Sequence, residues 1–310
     1  MNRAAIVAGA KEAIQRGSKS FRAASSLFDE RTRERAWLLY CWCRYCDDVA
    51  DGQHFGFGSG ERGSVVLLRS RSRLAAEGQP GDGIAFQSLA QLTSECPLPT
   101  RLIEDHLEGF TLDEQEWRPR TEADLARYCY HVAGSVGCMM AIIMGVNDQD
   151  SETLDRAADL GIAFQLSNIA RDIGEDAANG RSYLPADWLA EAGIEPSNIM
   201  APEHRSALAT MTARLVSMAK HYEASARLGV DTLPFRSRLA VLTALRIYGA
   251  IGRRVAALGA DAWDQRVTIG KMRKLSFLLP SFVEAMIGGL RPRDRSGPIP
   301  GRFGKAGPRT

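Results

Sequence analysis

The chain has 310 residues, of which 45% are hydrophobic and 25% charged, and its formal net charge at pH 7 is only +2. This composition is typical of a globular protein with a sizeable core, and so small a net charge gives no reason to expect a nucleic-acid partner. No run of about 18 apolar residues occurs, so no membrane-spanning helix is predicted. The N-terminal segment becomes charged too early for a signal peptide, which favours a cytoplasmic protein.

Apolar residues recur at spacings of three and four along the whole chain, and no segment alternates with a period of two. The pattern predicts an all-α fold. In chain order, helices are expected at 1–28 with a break at 17–21, from a cap at Asp29 to Gly52, and then at about 64–77, 84–116 (two helices), 121–145, 151–178, 203–227, 235–258 and 271–288. Residues 1–290 are predicted to form one domain, and the basic, Pro/Gly-rich residues 291–310 a disordered tail.

Neither a glycine motif at residues 58–63 nor a cysteine pair at Cys43 and Cys46 is expected to be functional. Residues 58–63 match Gly-x-Gly-x-x-Gly, but they follow a helix rather than a buried strand, so no nicotinamide or flavin domain is predicted. Cys43 and Cys46 form a Cys-x-x-Cys pair, yet the other four cysteines supply no second pair at metal-ligand spacing. Core packing in a reducing compartment is the better interpretation.

The predicted helix that ends near Gly52 carries a polar stripe on one face. At 3.6 residues per turn the stripe comprises Trp37, Tyr40, Arg44, Asp47 and Asp51. Carboxylates in the last turns of a helix are disfavoured by the helix dipole by roughly 0.3–1 kcal/mol each. Breaking a local rule in this way indicates a candidate site rather than an acidic surface.

The predicted helix at 151–178 carries a second stripe, formed by Gly161, Gln165, Asn168, Asp172 and Asp176. Carboxylates four residues apart have Cβ atoms about 5–6 Å from one another, a span that hard divalent cations can bridge. Arginines adjoin both acidic stripes, and guanidinium groups bind phosphate oxygens well. The combination predicts magnesium ions that hold a diphosphate between the two helices.

Several further features allow a structural and a functional interpretation. Ser18 and Ser20 lie at a helix start, where capping is more common than anion binding. The small residues of 130–137 fit close helix packing, or space for a long ligand. Residues 113–116 are expected to be a solvated face rather than a third metal site, and a lone His131 is not expected to be a ligand.

Five segments resemble the squalene/phytoene synthase family in order and spacing, over nearly the whole chain to about residue 285. They are Ser18–Phe21, Tyr40 with Cys43 and Arg44, Asp47–Asp51, Tyr128–Gly134 and Gln165–Asp172. The likeness is closest to bacterial members that make phytoene. One departure is Ser167, where threonine is common in the family. Residues 263–267 and 271–274 match a C-terminal basic stretch of the family.

The resemblance implies the isoprenoid-synthase helical fold around a central cavity, and head-to-head condensation of two allylic diphosphates. It implies that the metal ligands are Asp47, Asp51, Asn168, Asp172 and Asp176, and that Asp47, Asp51, Asp172, Asp176, Arg44 and Arg171 are catalytic. The substrate contacts that we assign on this basis are Ser18, Ser20, Phe21, Tyr40, Arg44, Tyr130, Gln165, Asn168, Arg171 and Tyr248.

The leading hypothesis is that two geranylgeranyl diphosphates are joined through a cyclopropyl diphosphate to give phytoene. Mg²⁺ is the expected cofactor, with Mn²⁺ as an alternative, and NADPH is not expected. One alternative is a squalene or dehydrosqualene synthase that uses farnesyl diphosphate; another is a non-catalytic helical scaffold. The lipidic substrate implies peripheral association with the inner face of the membrane, and a monomer is favoured.

Overall fold

The computed structural model describes residues 1–51 and 63–288, without the side chains of Lys19, Ser20 and Asp51. Within these ranges the chain forms helices and no strands, so the predicted all-α fold is confirmed. Most of the glycine-rich loop at 58–63 and the tail at 291–310 lie outside the described residues. The α-helices are α1 (Arg3–Gly17), α2 (Lys19–Ser25), α3 (Glu30–Asp51), α4 (Val65–Ala76), α5 (Ile84–Glu95), α6 (Thr100–Glu114), α7 (Glu122–Cys129), α8 (Ser135–Ile143), α9 (Ser151–Ala178), α10 (Ala186–Glu191), α11 (Arg205–Val230), α12 (Phe235–Leu258), α13 (Lys271–Ser276) and α14 (Leu278–Gly288).

Polar side chains fix where several of these helices begin. Ser18 Oγ accepts a hydrogen bond from the Phe21 amide at 3.2 Å, so the capping interpretation is confirmed for Ser18. Asp29 Oδ1 accepts from the Thr32 amide at 3.0 Å and caps α3, as predicted. These two caps fix the residues at which α2 and α3 begin.

Helix α9 is the central element of the fold. It packs against α8, α11 and α12, and its apolar face buries Leu166, Ile169 and Ile173 to exposures of 0%, 3% and 4%. The opposite, polar face carries the predicted stripe. The predicted division of α9 into an apolar face and a polar face is therefore confirmed.

The predicted helix at 121–145 is interrupted by one π-helical turn, Tyr130–Gly134, which joins α7 to α8. The periodicity of apolar residues does not distinguish a π-helical turn from a continuous α-helix, because the turn shifts their spacing by only one residue. The turn and the first residues of α8 pack tightly on α9. A Cβ on Gly161 of α9 would lie 2.2 Å from the Ala133 carbonyl oxygen, and one on Gly137 of α8 would lie 2.2 Å from that of Ala157. Close packing is thus confirmed as a role of these glycines.

His106 on α6 is an interior histidine, only 4% exposed. Its ring lies 5.3 Å from that of Trp42 and 5.0 Å from that of Phe110, and its Nδ1 lies 3.4 Å from the His131 carbonyl oxygen. Since that oxygen can only accept, Nδ1 is the protonated nitrogen. Burial lowers the pKa of His106 from 6.5 to about 4, because charging the ring inside an apolar environment is costly.

This shift predicts a loss of stability in mild acid. Between pH 6.5 and about 4 the unfolded chain binds a proton that folded His106 does not, so the free energy of unfolding falls as the pH drops. The full contribution is roughly 3 kcal/mol, at about 1.4 kcal/mol per pKa unit. Urea titrations of the wild type and of His106→Met over this range should show a shallower decline for the variant; equal slopes would contradict the assignment.

Candidate active site

A cavity of about 810 Å³ lies between α3, α6, α8, α9, α11 and α12. It follows α9 from Thr153 to Arg171, which corresponds to about 27 Å at about 1.5 Å of rise per residue. Much of the wall is apolar. The apolar and small residues that line it include Phe28, Val132, Ala133, Val136, Met140, Met144, Ala157, Leu160, Val230, Leu233, Ala240 and Val241.

The residues predicted to bind substrate or metal gather mainly at one end of this cavity. Those that line it are Ser18, Phe21, Tyr40, Arg44, Asp47, Gln165, Asn168, Arg171 and Tyr248. Tyr248 on α12 interacts electrostatically with both Tyr40 on α3 and Arg171 on α9. The polar segments of α3 and α9, far apart in sequence, therefore meet at the same end.

Arg44 organises the polar stripe of α3. Its guanidinium donates from Nη1 to Asp47 Oδ2 at 2.8 Å, and from Nε and Nη2 to Asp48 Oδ1 at 2.9 and 2.6 Å. The Asp47 side chain remains 43% exposed. Tyr40, one turn earlier, stacks on Phe21 at 5.5 Å, and its pKa is raised to about 12, chiefly by burial. Its hydroxyl thus stays protonated as a hydrogen-bond donor.

Two arginines bind Asp172 in the polar stripe of α9. Arg171 donates from Nε to Asp172 Oδ1 at 2.7 Å and from Nη2 to the other carboxylate oxygen, so the pair is bidentate. Arg266, which comes from the predicted basic stretch after α12, lies 3.3 Å from Asp172 Oδ1 and also pairs with Glu175. Arg266 lines the cavity, so the C-terminal basic stretch contributes to the site.

Asp172 and Asp176 do not themselves line the main cavity. Asp176 lies instead in a separate small pocket with Arg181 and Tyr183. The pKa of Asp176 is raised to about 7, first by burial and next by the negative charge of Asp172. Asp176 is therefore a buried carboxyl group close to a second carboxylate.

Asp113 is the exception to the solvated face that was expected at residues 113–116, since Glu114, Gln115 and Glu116 are exposed as predicted. It lines the main cavity, and its carboxylate accepts hydrogen bonds from the hydroxyls of Tyr128 at 3.0 Å and Tyr183 at 2.9 Å. A usable signal was present in the sequence. His106, Phe110 and Asp113 recur at spacings of four and three, and all three line the cavity.

Other predicted site residues are placed differently. Tyr130 does not line the main cavity, and its hydroxyl donates to Asp105 Oδ2 at 2.7 Å. The side chains of Ser20 and Asp51 lie outside the described residues, although the backbone of each belongs to its helix. His131 bonds through Nδ1 to the Asp105 carbonyl oxygen at 3.0 Å, as expected of an interior histidine.

The cysteines have the structural role expected of them. All six are free, and five are buried. Burial raises the pKa of both Cys43 and Cys46, so neither side chain is a thiolate at neutral pH. Core packing, rather than redox chemistry, accounts for the Cys-x-x-Cys pair.

Arg156 is the charged exception in the apolar part of the cavity wall. It is 1% exposed, and its Nη1 donates to Ser225 Oγ at 2.7 Å. The Ser225 hydroxyl in turn donates to Asp159. The charge is thus compensated within the wall, and this half of the cavity presents a mostly apolar surface.

Comparison with known proteins agrees with this geometry. The family model for squalene/phytoene synthase matches residues 14–273. A 15-cis-phytoene synthase of Pantoea ananas is 43% identical over 94% of this chain and 96% of its own length, and that of Enterobacter agglomerans is 45% identical over 87% and 92%. The crystal structure of a dehydrosqualene synthase in complex with ligand superposes with a TM-score of 0.80 at 25% identity, covering 91% of this chain and 97% of that one. The chain belongs to the squalene/phytoene synthase family.

Proposed function

We propose that the chain catalyses the Mg²⁺-dependent, head-to-head condensation of two geranylgeranyl diphosphates to phytoene, the first committed step of carotenoid biosynthesis. The observation that carries the proposal is a single cavity of about 810 Å³ with a charged end and a long apolar body. The shape and polarity suit a substrate with a diphosphate head and an isoprenoid tail. The names of the bacterial relatives support phytoene as the product.

The chemistry of the acidic side chains suits magnesium. In the described part of the chain, no three His, Cys, Asp or Glu side chains form a metal-binding group, but magnesium needs few protein ligands and prefers oxygen. The pKa of Asp176 is raised first by burial and next by the nearby Asp172 carboxylate, and a bound cation would favour the ionised form of both groups. The residues that would hold Mg²⁺, or Mn²⁺ in its place, are Asp47, Asp51, Asn168, Asp172 and Asp176. The bound metal supplies Lewis-acid neutralisation of the leaving diphosphate.

The arginines at the charged end are suited to binding the diphosphate. Arg44, Arg171 and Arg266 line the cavity, and each now pairs with a carboxylate. A planar guanidinium binds phosphate oxygens through two parallel hydrogen bonds. These bonds fix the orientation of the phosphate, and the positive charge of the guanidinium offsets its negative charge. In our proposal they hold the diphosphate while its bond to C1 breaks.

The apolar body of the cavity protects and positions the resulting allylic cation. Exclusion of water prevents its hydrolysis, and ring faces at the border stabilise positive charge. Two stacked pairs supply such faces: Phe21 with Tyr40 at 5.5 Å, and Phe164 with Tyr248 at 4.1 Å. After the first diphosphate leaves, the double bond of the second chain attacks C1, and loss of a proton closes the ring of a cyclopropyl diphosphate. Ionisation of the second diphosphate, rearrangement and loss of a second proton then give the central triene of phytoene.

Location and assembly follow from the nature of the substrate and product. Both are lipids, so we propose that the chain works in the cytoplasm, associated with the inner face of the membrane. The assembly that we propose is a monomer. None of the described helices combines the length and apolar character that crossing a bilayer requires. Association at the surface is the mode that we propose.

Product analysis with geranylgeranyl and farnesyl diphosphates offered together tests the activity. With Mg²⁺ and no NADPH, the expected product is a C40 hydrocarbon with a conjugated triene at its centre. A C30 hydrocarbon would instead favour the farnesyl-using alternative, which has the same cavity chemistry but a shorter substrate. Failure to release diphosphate from either substrate would favour the scaffold hypothesis and overturn the proposal.

A further inference from the structure

Helix α14 turns its apolar side chains away from the protein. Leu279, Phe282 and Met286 are 72%, 46% and 53% exposed, whereas the small residues Ser281 and Ala285 are buried. A surface helix ordinarily buries its large apolar residues and exposes its polar ones. The orientation of α14 is the reverse, so most of its outer face is left exposed. Phe282 contacts the ring of Phe235 at 5.6 Å, and Phe235 is itself 37% exposed.

Polar contacts hold α14 in this orientation. Its single carboxylate, Glu284, faces inward and pairs with Arg227 of α11 and Arg246 of α12. Arg238, only 9% exposed, donates from Nη1 to the Ala285 carbonyl oxygen at 2.7 Å. Rotating the helix to bury its apolar face would break these contacts, so the exposed apolar surface is a fixed feature of the fold.

Helix α13 extends this surface and adds positive charge. Met272 and Leu275 are 79% and 57% exposed, and the basic residues Lys271 and Arg273 are exposed beside them. Glu284 is the sole acidic residue in the sequence from 271 to 288, and its charge is compensated. The sequence that follows, 291–310, contains six Lys or Arg residues and one Asp. In the described part of the chain the surface is therefore apolar, with the basic residues Lys271 and Arg273 beside it.

We infer that the outer face of α13 and α14 docks onto the surface of a lipid bilayer that contains anionic lipids. Apolar side chains on one face of such a helix bury at the boundary of headgroups and acyl chains, while basic side chains pair with anionic headgroups. A second copy of the chain fits less well, because pairing of this face with itself would oppose the basic residues beside it. The inference specifies the membrane association proposed above, but does not depend on the condensation chemistry.

The docking face also lies close to the apolar part of the cavity. Val230 at the end of α11 and Leu233 in the turn before α12 both line the cavity. Arg238 donates to the Leu233 carbonyl oxygen at 3.0 Å as well as to α14. One guanidinium thus ties the cavity wall to the docking helix. Docking through this face would place the apolar body of the cavity beside the lipid phase.

Vesicle co-sedimentation of the full chain tests the inference. We expect the variant Leu279→Ser/Phe282→Ser/Met286→Ser to bind vesicles of phosphatidylcholine and phosphatidylglycerol about tenfold or more weakly than the wild type. Val66 and Leu67 on α4 are 73% and 66% exposed, so Val66→Ser/Leu67→Ser is a matched control that should bind normally. Lys271→Gln/Arg273→Gln should weaken binding to vesicles that contain phosphatidylglycerol, but not to vesicles of phosphatidylcholine alone. Raised salt should also weaken binding to the vesicles that contain phosphatidylglycerol.

Two outcomes would overturn the inference. One is equal vesicle binding by the α14 variant and the α4 control. The other is a change in the monomer–dimer equilibrium of the α14 variant in sedimentation velocity, without a change in vesicle binding, which would identify a second copy as the occupant. Turnover of detergent-dispersed substrate by the α14 variant should stay unchanged, which separates failure of docking from failure of the proposed activity.

Discussion

Asp172→Asn is expected to lower turnover by about 10³-fold while leaving the helices intact. The carboxylate receives three hydrogen bonds or ion pairs from Arg171 and Arg266, and its charge is needed to hold a cation near the diphosphate. Asparagine has the same shape as aspartate but no charge, so the fall in turnover measures what the negative charge of Asp172 contributes. Removing a single preorganised electrostatic contact commonly costs 10²–10³-fold in rate. Steady-state diphosphate release with geranylgeranyl diphosphate and Mg²⁺ provides the measurement.

A carboxylate far from the cavity provides the control. Glu191 on α10 pairs with Arg214 and is 73% exposed, so Glu191→Gln should keep wild-type turnover. Circular dichroism and thermal unfolding establish that both variants are folded. If folded Asp172→Asn turned over substrate at the wild-type rate, the second acidic stripe would have been assigned wrongly.

Gly161→Ala is expected to reduce the free energy of unfolding by about 3 kcal/mol, as overpacking of a tight interface does. The new Cβ would lie 2.2 Å from the Ala133 carbonyl oxygen and 2.8 Å from Gly134 Cα, both of them backbone atoms of the π-helical turn. Backbone cannot give way as a flexible side chain does, so α9 must move away from the turn. Gln165 and Asn168 lie on the same face of α9, so turnover should fall as well. Urea denaturation measures the stability.

Gly174→Ala on the same helix is the matched control. There the nearest atom to a new Cβ is Met200 Cε at 3.4 Å, an ordinary contact. Alanine is favoured over glycine inside a helix by about 0.5–1 kcal/mol, so this variant should be neutral or slightly more stable. Equal destabilisation by the two substitutions would show that loss of glycine itself, rather than the contact with the π-helical turn, was responsible.

The sequence was most informative about the long helices. Helix α9 was predicted at 151–178 and found at Ser151–Ala178, because an Asp cap and an Asn-Gly end bracket a sustained periodic segment. Most of the polar stripes of α3 and α9 could also be recognised, since charged and amide side chains recur there at helical spacing. Trp37 is the exception, because it packs against the core and does not line the cavity. Six of the stripe residues, Tyr40, Arg44, Asp47, Gly161, Gln165 and Asn168, line one cavity.

Features that depend on which helices become neighbours could not be predicted in the same way. Periodicity shows which residues of α9 share a face, but not how far along that face the cavity extends. It therefore could not show that Asp172 and Asp176 lie outside the cavity lining. Asp113 looked solvated because the tyrosines that bind it, Tyr128 and Tyr183, come from distant segments. Tyr130 was assigned to substrate from its position in a motif, but its side chain turns to Asp105.

Thermal unfolding with an unreactive thiolodiphosphate analogue of geranylgeranyl diphosphate tests the central claim, that the acidic faces of α3 and α9 jointly hold a metal–diphosphate complex. We predict that analogue and Mg²⁺ together raise the Tm by more than the sum of their separate effects, and that Asp47→Asn and Asp172→Asn each abolish the excess. An analogue-induced rise of the same size without Mg²⁺, or no rise at all, would contradict the claim.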